Sequence, residues 1–356
     1  MADMNTAARN TVLVSGGAGY IGSHVTYALR QRGFMPIVVD SLVTGNKWAT
    51  RHAASFHQAD IADAAAVKAL CQTHRPAAAL HFAAFIEVGE SVSNPQKYFS
   101  NNRDKAKIFF DVLSDQGVDK IIFSSTAAVY GEPAQEGPIT EDCRGVPINP
   151  YGQSKLEAEA LLRAIPGAAS VILRYFNVAG AAAEAGLGEA HYPESHLIPR
   201  LVLSLLDVPE DIQRELGLGK AFRIFGQDHK TRDGSAVRDY LHVMDLAEAH
   251  VAALEYLLDG GASQILNLGT GRGYSVWEIV RAAAEALGRP DFTPSVSERR
   301  EGDPATLVAS GKRAGEILGW SPQRDISEMI RSAAAWHRSD AYIQTIRSKI
   351  GALSNA

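Results

Sequence analysis

Residues 11–25 read TVLVSGGAGYIGSHV, with Gly16, Gly17, Gly19 and Gly22 falling within seven positions directly behind a run of valine and leucine. TVLVS at 11–15 reads as a buried strand, and residues 20–34 carry apolar side chains at the 3.6-residue spacing of a helix. The glycines therefore fill a strand-to-helix turn, in the pattern G-x-G-x-x-G from Gly17 to Gly22. In such a turn the early glycines let a pyrophosphate approach main-chain N–H groups, and the last lets the helix pack closely on the strand. The helix N-terminus offers its positive end to the phosphates. PIVVD at 36–40 is the next strand and ends on Asp40, 18 positions after Gly22. A carboxylate there accepts hydrogen bonds from a ribose diol and repels a 2′-phosphate, which favours NAD over NADP. Gly16, Gly19, Tyr20, Ile21, Gly22 and Asp40 are the first candidate cofactor contacts.

The same alternation continues along the chain. SFHQAD (55–60), AAALHFAA (77–84), KIIFSS (120–125) and SVILRYF (170–176) read as strands. ADAAAVKALCQTH (62–74), a stretch around 95–116, and YGQSKLEAEALLRAI (151–165) read as helices. Short apolar runs joined by amphipathic helices imply right-handed βαβ units, so the expected class is α/β, a Rossmann-type doubly wound parallel sheet. Beyond about residue 178 the pattern loosens. Residues 201–220 read as a helix with a charged excursion at 207–220, 226–240 as a polar loop, and 264–271 (QILNLGTG) as a strand returning to the sheet. The expected organisation is an NAD-binding domain at 1–178, with later segments near 235–270 returning to it, and a smaller interleaved α/β lobe at 179–356 that binds substrate.

Composition narrows the classes of partner. Of 356 residues 46% are hydrophobic, enough for a sizeable core, and the net charge of −5 argues against a nucleic-acid or polybasic membrane surface. Cys71 and Cys143 make neither a disulfide framework nor a metal-ligand set, and suit a reducing cytoplasm. The polar opening MADMNTAARN reads as no signal peptide, and no apolar run approaches a membrane span of about 18 residues.

YGQSK places Tyr151 and Lys155 four apart on a helix, hence on one face. A phenol is a poor base at its reference pKa of about 10, but a neighbouring ammonium and the positive nicotinamide ring would favour the phenolate. Such a tyrosine takes a proton from a sugar hydroxyl while hydride leaves the same carbon. FSSTAAVYG (123–131) sits at the carboxyl end of a strand, where open α/β sheets bind ligands. Thr126 is placed to share a hydrogen bond with the phenolate, and Ser124 to line the nicotinamide pocket. Asp60 either holds the adenine amino group or caps the helix starting near Ala62. Arg238 and Arg300 bring guanidinium forks matched to phosphates, or serve as surface ion pairs. Asn177 and Asp303 are candidates for fixing a ribose or base. His24, His81 and His242 flank apolar residues and read as core, with no metal expected.

Taken together, GGAGYIGSH, HFAA…VGESV…P…Y…NN, SSTAAVYGEP, YGQSKLEAE, LRYFNVAGA, VRDYLHVMDLAEAH and RREGD resemble the extended short-chain dehydrogenase/reductase family, within it the UDP-glucose 4-epimerases, from about residue 11 to 337. The resemblance implies a tightly held NAD, a UDP-sugar substrate and a homodimer joined through helices of the sheet domain. It implies catalysis by Tyr151 as base, Lys155 as its electrostatic partner and Thr126 in the place of a common serine. It also implies NAD contacts at Phe82, Asn101 and Tyr175, with Ile61 and Ala83 beside them, and UDP contacts at Asn177, His196, Leu197, Arg238, Arg300 and Asp303. Sugar C4 would give hydride to NAD and take it back on the opposite face.

Ile86 and Glu87 stand where many members carry a lysine, and His196 where asparagine is common. Leu307 occupies a position whose size gates N-acetylated sugars. Related dehydratases carry an Asp-Glu pair after the active-site threonine for eliminating water. Here the pair is Ala127-Ala128, which argues for oxidation and reduction at C4 alone. The rival readings are a 4-epimerase of another UDP-sugar (UDP-N-acetylglucosamine, UDP-xylose or arabinose, UDP-glucuronate), a net dehydrogenase with exchangeable NAD, and an NAD-binding regulator without catalysis.

Overall fold

In the first half of the chain, strands and helices alternate as β1 (Thr11–Ser15), α1 (Tyr20–Gln31), β2 (Met35–Asp40), β3 (Ser55–Gln58), α2 (Ala64–His74), β4 (Ala78–His81), α3 (Ala106–Asp115), β5 (Lys120–Ser124), α4 (Pro150–Arg163) and β6 (Ala169–Tyr175). The computed structural model describes residues 10–132, 137–216, 222–299 and 304–354. The strands β1 and β4 are buried at every residue, as a sheet covered on both faces requires, which is why they read as unbroken apolar runs. After β6 come β7 (Asn177–Ala179), β8 (Arg223–Phe225), β9 (Val237–His242), a helix over Val243–Leu258, β10 (Gln264–Leu268), β11 (Gly273–Ser275), β12 (Ser295–Ser297) and β13 (Thr306–Leu307).

Two compact units result. The first holds the residues through Phe176 together with Leu246–Leu268 and Ala309–Ser321; the second holds Asn177–Asp245, Gly269–Val308 and the chain from Pro322. The first unit is built on a seven-stranded sheet in the order β10-β6-β5-β4-β1-β2-β3, parallel at every pairing. The strand order reverses between β1 and β4, and the crevice outside their carboxyl ends is where a doubly wound sheet takes its ligand. One core cluster fixes this frame: Leu13, Ile37 and Val39 from the first strands, Phe109, Phe110 and Leu113 from α3, and Ile121, Phe123 and Ile172 from β5 and β6.

The second unit has a four-stranded sheet centred on β9, which pairs with β7, β11 and β13, and a two-stranded sheet of β8 with β12.

The stretch around 95–116, read as helical, is helical from Pro95 to Asp115, with a π-helical run over Phe99–Lys105 between Pro95–Tyr98 and α3. Two sequence readings are corrected. The helix over 201–220 is instead two, Leu197–Leu205 and Glu210–Glu215, because Pro209 cannot continue the first. Residues 237–240, read as the end of a polar loop, belong instead to Val237–His242, the central strand of its sheet, its Arg238 and Asp239 held by main-chain and turn partners that local polarity does not reveal. Among the described residues no helix is long and apolar enough to cross a membrane.

Candidate active site

The glycine turn is explained first by the protein's own backbone. Gly16 has φ +74, and a Cβ there would stand 2.4 Å from Ala83 N; one at Gly22 would stand 2.3 Å from Gly16 O. Both side chains are excluded by the protein itself, without any ligand. Gly19 differs, since the nearest atom to a Cβ there is Gly16 O at 3.3 Å. It is the N-cap of α1, with no side-chain cap and no acidic residue in the first turn. A helix N-terminus left bare in this way is suited to a phosphate group. Asp40 Oδ2 accepts from Ala18 N at 3.0 Å and Oδ1 from Leu42 N at 2.8 Å, each keeping acceptor capacity for a diol. Burial pushes its pKa up, against those two bonds. The turn and Asp40 thus fit a dinucleotide. Gly19→Val is expected to preserve the fold, read by circular dichroism, while weakening dinucleotide retention at least about tenfold; unchanged nucleotide absorbance of the purified variant would refute this role.

The other cofactor candidates occupy the same unit. Asp60 Oδ1 accepts from Ala62 N at 2.9 Å and Oδ2 from Lys105 Nζ at 2.5 Å, but the residue that caps α2 is Asp63, through Ala66 N at 3.0 Å. The capping role weighed for Asp60 belongs to Asp63. Ile61 is buried in the core cluster. Phe82 follows β4, its ring 4.9 Å from that of His250, and Ser124 hydrogen-bonds the phenol of Tyr175. Asn101 lies in the π-helical run and donates to Asn102 Oδ1 at 3.1 Å. Sequence reasoning missed Asn102 itself. It is buried and clamps Phe85, accepting from its N–H and donating to its carbonyl, both at 2.9 Å. A single π turn at such a place is a common mark of a functional site.

The catalytic candidates meet where α4 reaches the end of β5. Asn149 caps α4 through Gly152 N at 2.8 Å and Pro150 follows at the first helical position, a start signal readable in the sequence but not used. Gly152 brings the helix against the turn after β5, since a Cβ on it would stand 2.5 Å from Ala128 O. The side chain of Thr126 is thereby brought beside the phenol of Tyr151, where it favours the phenolate. Lys155, one turn along, is 3% exposed with Nζ 4.4 Å from the centre of the Phe123 ring, on which His81 stacks. His81 is bound at Nδ1 to Ser15 Oγ at 2.6 Å, and burial, with Lys155, presses its pKa down to about 3. His24 and His242 are likewise buried and hydrogen-bonded, the first to Tyr20 O and the second to Met244 N and Ser332 Oγ.

Without the dinucleotide, the electrostatics of the pair are set by burial. In the protein by itself burial pushes Tyr151 up rather than down, only partly offset by Thr126, and burial presses Lys155 down to about 7, opposed by Glu159. A buried ammonium is as costly as a buried phenolate, so the lysine alone does not deliver the base. Between pH 7 and the ordinary lysine value of 10.5 the unfolded chain holds a proton on Lys155 that the folded protein lacks. The stability this group contributes is therefore complete above 10.5 and lost as the pH falls to 7. Cofactor-free protein should gain on a Lys155→Met variant across that window, by up to about 1.4 kcal/mol per pH unit in urea melts; parallel pH profiles would contradict it.

Beneath the site lies a buried ionic network. Glu159 accepts from Arg174 Nε at 2.9 Å and Nη2 at 2.5 Å and from Ser125 Oγ, and Arg174 Nη1 donates to Tyr130 Oη at 3.0 Å. Ser125 joins Ser124 to Thr126, so the network holds the backbone between the two site residues.

The substrate candidates fall in the second unit. Asn177, on β7, donates from Nδ2 to Asp239 O at 3.2 Å. Arg238, on β9, donates to Val237 O at 2.7 Å and Pro304 O at 2.6 Å, and Leu307 is its register partner on β13. His196 stands immediately before the helix Leu197–Leu205, with Nδ1 at 2.6 Å from Glu189 Oε1. Asp239, not among the candidates, is fully buried and accepts from Thr270 N, Thr270 Oγ1 and Gly271 N. Arg300 and Asp303 lie outside the described residues.

Residues 12–269 match the family described as NAD dependent epimerase/dehydratase. A UDP-glucose 4-epimerase of Rhizobium leguminosarum bv. trifolii is 46% identical over 333 residues, which is 93% of this chain and 98% of that protein. The crystal structure of UDP-glucose 4-epimerase from Brucella ovis in complex with NAD is similar at a TM-score of 0.82 and 42% identity, covering 91% of this chain and 97% of that one. The UDP-glucose 4-epimerase from Bifidobacterium longum in complex with NAD+ and UDP is similar at 0.84 and 35%, covering 93% and 99%. With a parallel sheet that reverses order at a glycine turn, a Thr-Tyr-Lys set at the end of β5 and a profile match over most of its length, the chain belongs to the NAD-dependent epimerase/dehydratase family.

Proposed function

We propose that the protein interconverts UDP-glucose and UDP-galactose by inverting C4, with NAD held throughout the cycle. The observation that carries this reading is Tyr151 set beside Thr126 with Lys155 one helical turn away, in a chain 46% identical to a named UDP-glucose 4-epimerase. Bound NAD supplies a hydride acceptor that returns what it takes, and a positive ring that offsets the cost of burying a phenolate. Tyr151 removes the proton of the C4 hydroxyl, Thr126 holds that hydroxyl and the phenol in one line, and Lys155 stabilises the anion. With NAD bound, hydride would return to the opposite face of C4 while Tyr151 gives its proton back to the oxygen, so that no net redox change would result. Ala127 and Ala128 offer no acid or base for elimination, which keeps the chemistry at C4.

Gly16, Gly19, Tyr20, Ile21, Gly22, Asp40, Asp60, Ile61, Phe82, Ala83, Asn101, Ser124 and Tyr175 hold the cofactor in this reading. Asn177, His196, Leu197, Arg238, Arg300 and Asp303 hold the UDP portion, His196 and Leu197 at the start of their helix, where main-chain N–H groups favour an anion. The protein works in the cytoplasm as a homodimer, a state that sedimentation would check. The decisive experiment is an assay without added NAD. The purified protein should carry its own dinucleotide and interconvert UDP-glucose and UDP-galactose faster than it epimerises UDP-N-acetylglucosamine, UDP-xylose or UDP-glucuronate. Turnover that requires added NAD and accumulates NADH would overturn it, as would preference for another sugar.

A further inference from the structure

The segment that leads into the helix Leu197–Leu205 carries a donor cluster with no part in the proposed C4 chemistry. Its sequence, E-A-H-Y-P-E-S-H over 189–196, places two carboxylates and two imidazoles within eight residues. One donor atom from each of Glu189, His191, Glu194 and His196 lies within 4.8 Å of all the others. Both imidazoles turn Nδ1 to the same atom: Glu189 Oε1 is 2.9 Å from His191 and 2.6 Å from His196. The two nitrogens are 3.3 Å apart, and Glu194 Oε1 is 3.4 Å from His196 Nδ1. Four donors at zinc bond lengths of about 2.0–2.2 Å stand about 3.3 Å from one another along the edges of a tetrahedron. Of the six separations, two have that length, two are shorter and the remaining two lie within 4.8 Å, so movements of about an ångström admit a cation.

A second observation points the same way. Glu194 is 5% exposed, and while its Oε1 accepts from His196 N at 2.9 Å, its Oε2 is buried with no hydrogen-bond partner. A carboxylate oxygen left so is costly unless something binds it. The main chain around the donors is held independently of them. Trp336 Nε1 donates to Glu189 O at 2.7 Å, Lys349 Nζ to Ala190 O at 2.8 Å and Arg200 Nη1 to Glu194 O at 3.0 Å. Such outer support is what orients donors on a metal.

We propose that Glu189, His191, Glu194 and His196 form a binding site for one divalent transition-metal ion of the zinc class. Two carboxylates cancel the charge of the ion, and the mixed nitrogen–oxygen set suits zinc or cobalt rather than magnesium or calcium, which require more oxygen donors. Four protein donors close the coordination sphere, so the ion is structural. It fixes the entry to the helix Leu197–Leu205 and, by engaging Nδ1 of His196, sets the orientation of that ring.

The test uses the full-length protein, freed of metal by a chelator and desalted. One equivalent of Co2+ should give the intense visible bands of four-coordinate cobalt, and Zn2+ should displace it. Competition against a chromophoric chelator should show a single zinc site, weakened at least about a hundredfold by His191→Ala. Glu194→Gln, nearly the same in shape, should also weaken it and serves if the histidine variant does not fold. A six-coordinate cobalt spectrum, zinc affinity unmoved by either substitution, or no binding in the micromolar range would overturn the proposal and leave an ion-paired Glu–His cluster.

Discussion

Turnover of UDP-galactose by Tyr151→Phe is expected to fall about a thousandfold, the range lost when a positioned acid–base group is removed, while the dinucleotide stays bound and KM moves little. In the proposed cycle the phenol oxygen both receives the hydroxyl proton and returns it, and Thr126 beside it has no comparable basicity. The ring of Tyr151 packs edge-on to Tyr98 with centroids 6.4 Å apart, a contact phenylalanine keeps, so the loss is chemical rather than structural. Steady-state kinetics with the nucleotide absorbance of the same preparation check it. A variant that retained more than a tenth of wild-type turnover would remove Tyr151 from the mechanism.

The second large effect is on stability. Glu159→Ala should destabilise the protein by about 3–5 kcal/mol, because it strands the charge of Arg174 in the interior. Both partners are nearly inaccessible, 2% and 5% exposed, so water cannot replace the lost carboxylate. The substitution also frees Ser125 and withdraws the one negative charge that supports the ammonium of Lys155. Glu159→Gln, which keeps an acceptor, should cost less than alanine. Urea melts of the three proteins decide it, and a loss below about 1 kcal/mol would place the network at the level of a surface ion pair.

What the sequence disclosed, and what it withheld, follows from range. The first strand and glycine turn were legible because burial on both faces leaves an unbroken apolar run. QILNL, half-buried at its start and carrying a glutamine and an asparagine, was legible as a strand of the same sheet from its aliphatic residues. The spacing of Tyr151 and Lys155 was legible because a helix converts four residues into one face. Their electrostatics were not, since burial by Phe123 and its neighbours is a property of the folded interior that no local window contains. Gly22 was read as letting the helix pack closely, and a Cβ on it would meet Gly16 O; Gly16, read as making way for a pyrophosphate, is crowded by the backbone of Phe82 and Ala83, whereas Gly19 is open enough for a ligand. The strand Val237–His242 was hidden because its arginine and aspartate are satisfied by carbonyls and turn N–H groups distant in sequence. Asn102 was missed because a π turn shifts side chains off the 3.6-residue register by which helices are read.

The strand β10 covers the amides of β6 at one end of the seven-stranded sheet, yet it leaves the ribosome about 90 residues after β6, the strand it pairs with. At roughly 5–20 residues per second, β6 waits several seconds during synthesis with a row of unpaired amides beside VILRY. That interval is when nascent chains are most exposed to pairing with one another, and any truncation before Gln264 would make it permanent. A shortened chain should therefore accumulate as inclusion bodies, however complete its glycine turn and Thr-Tyr-Lys set.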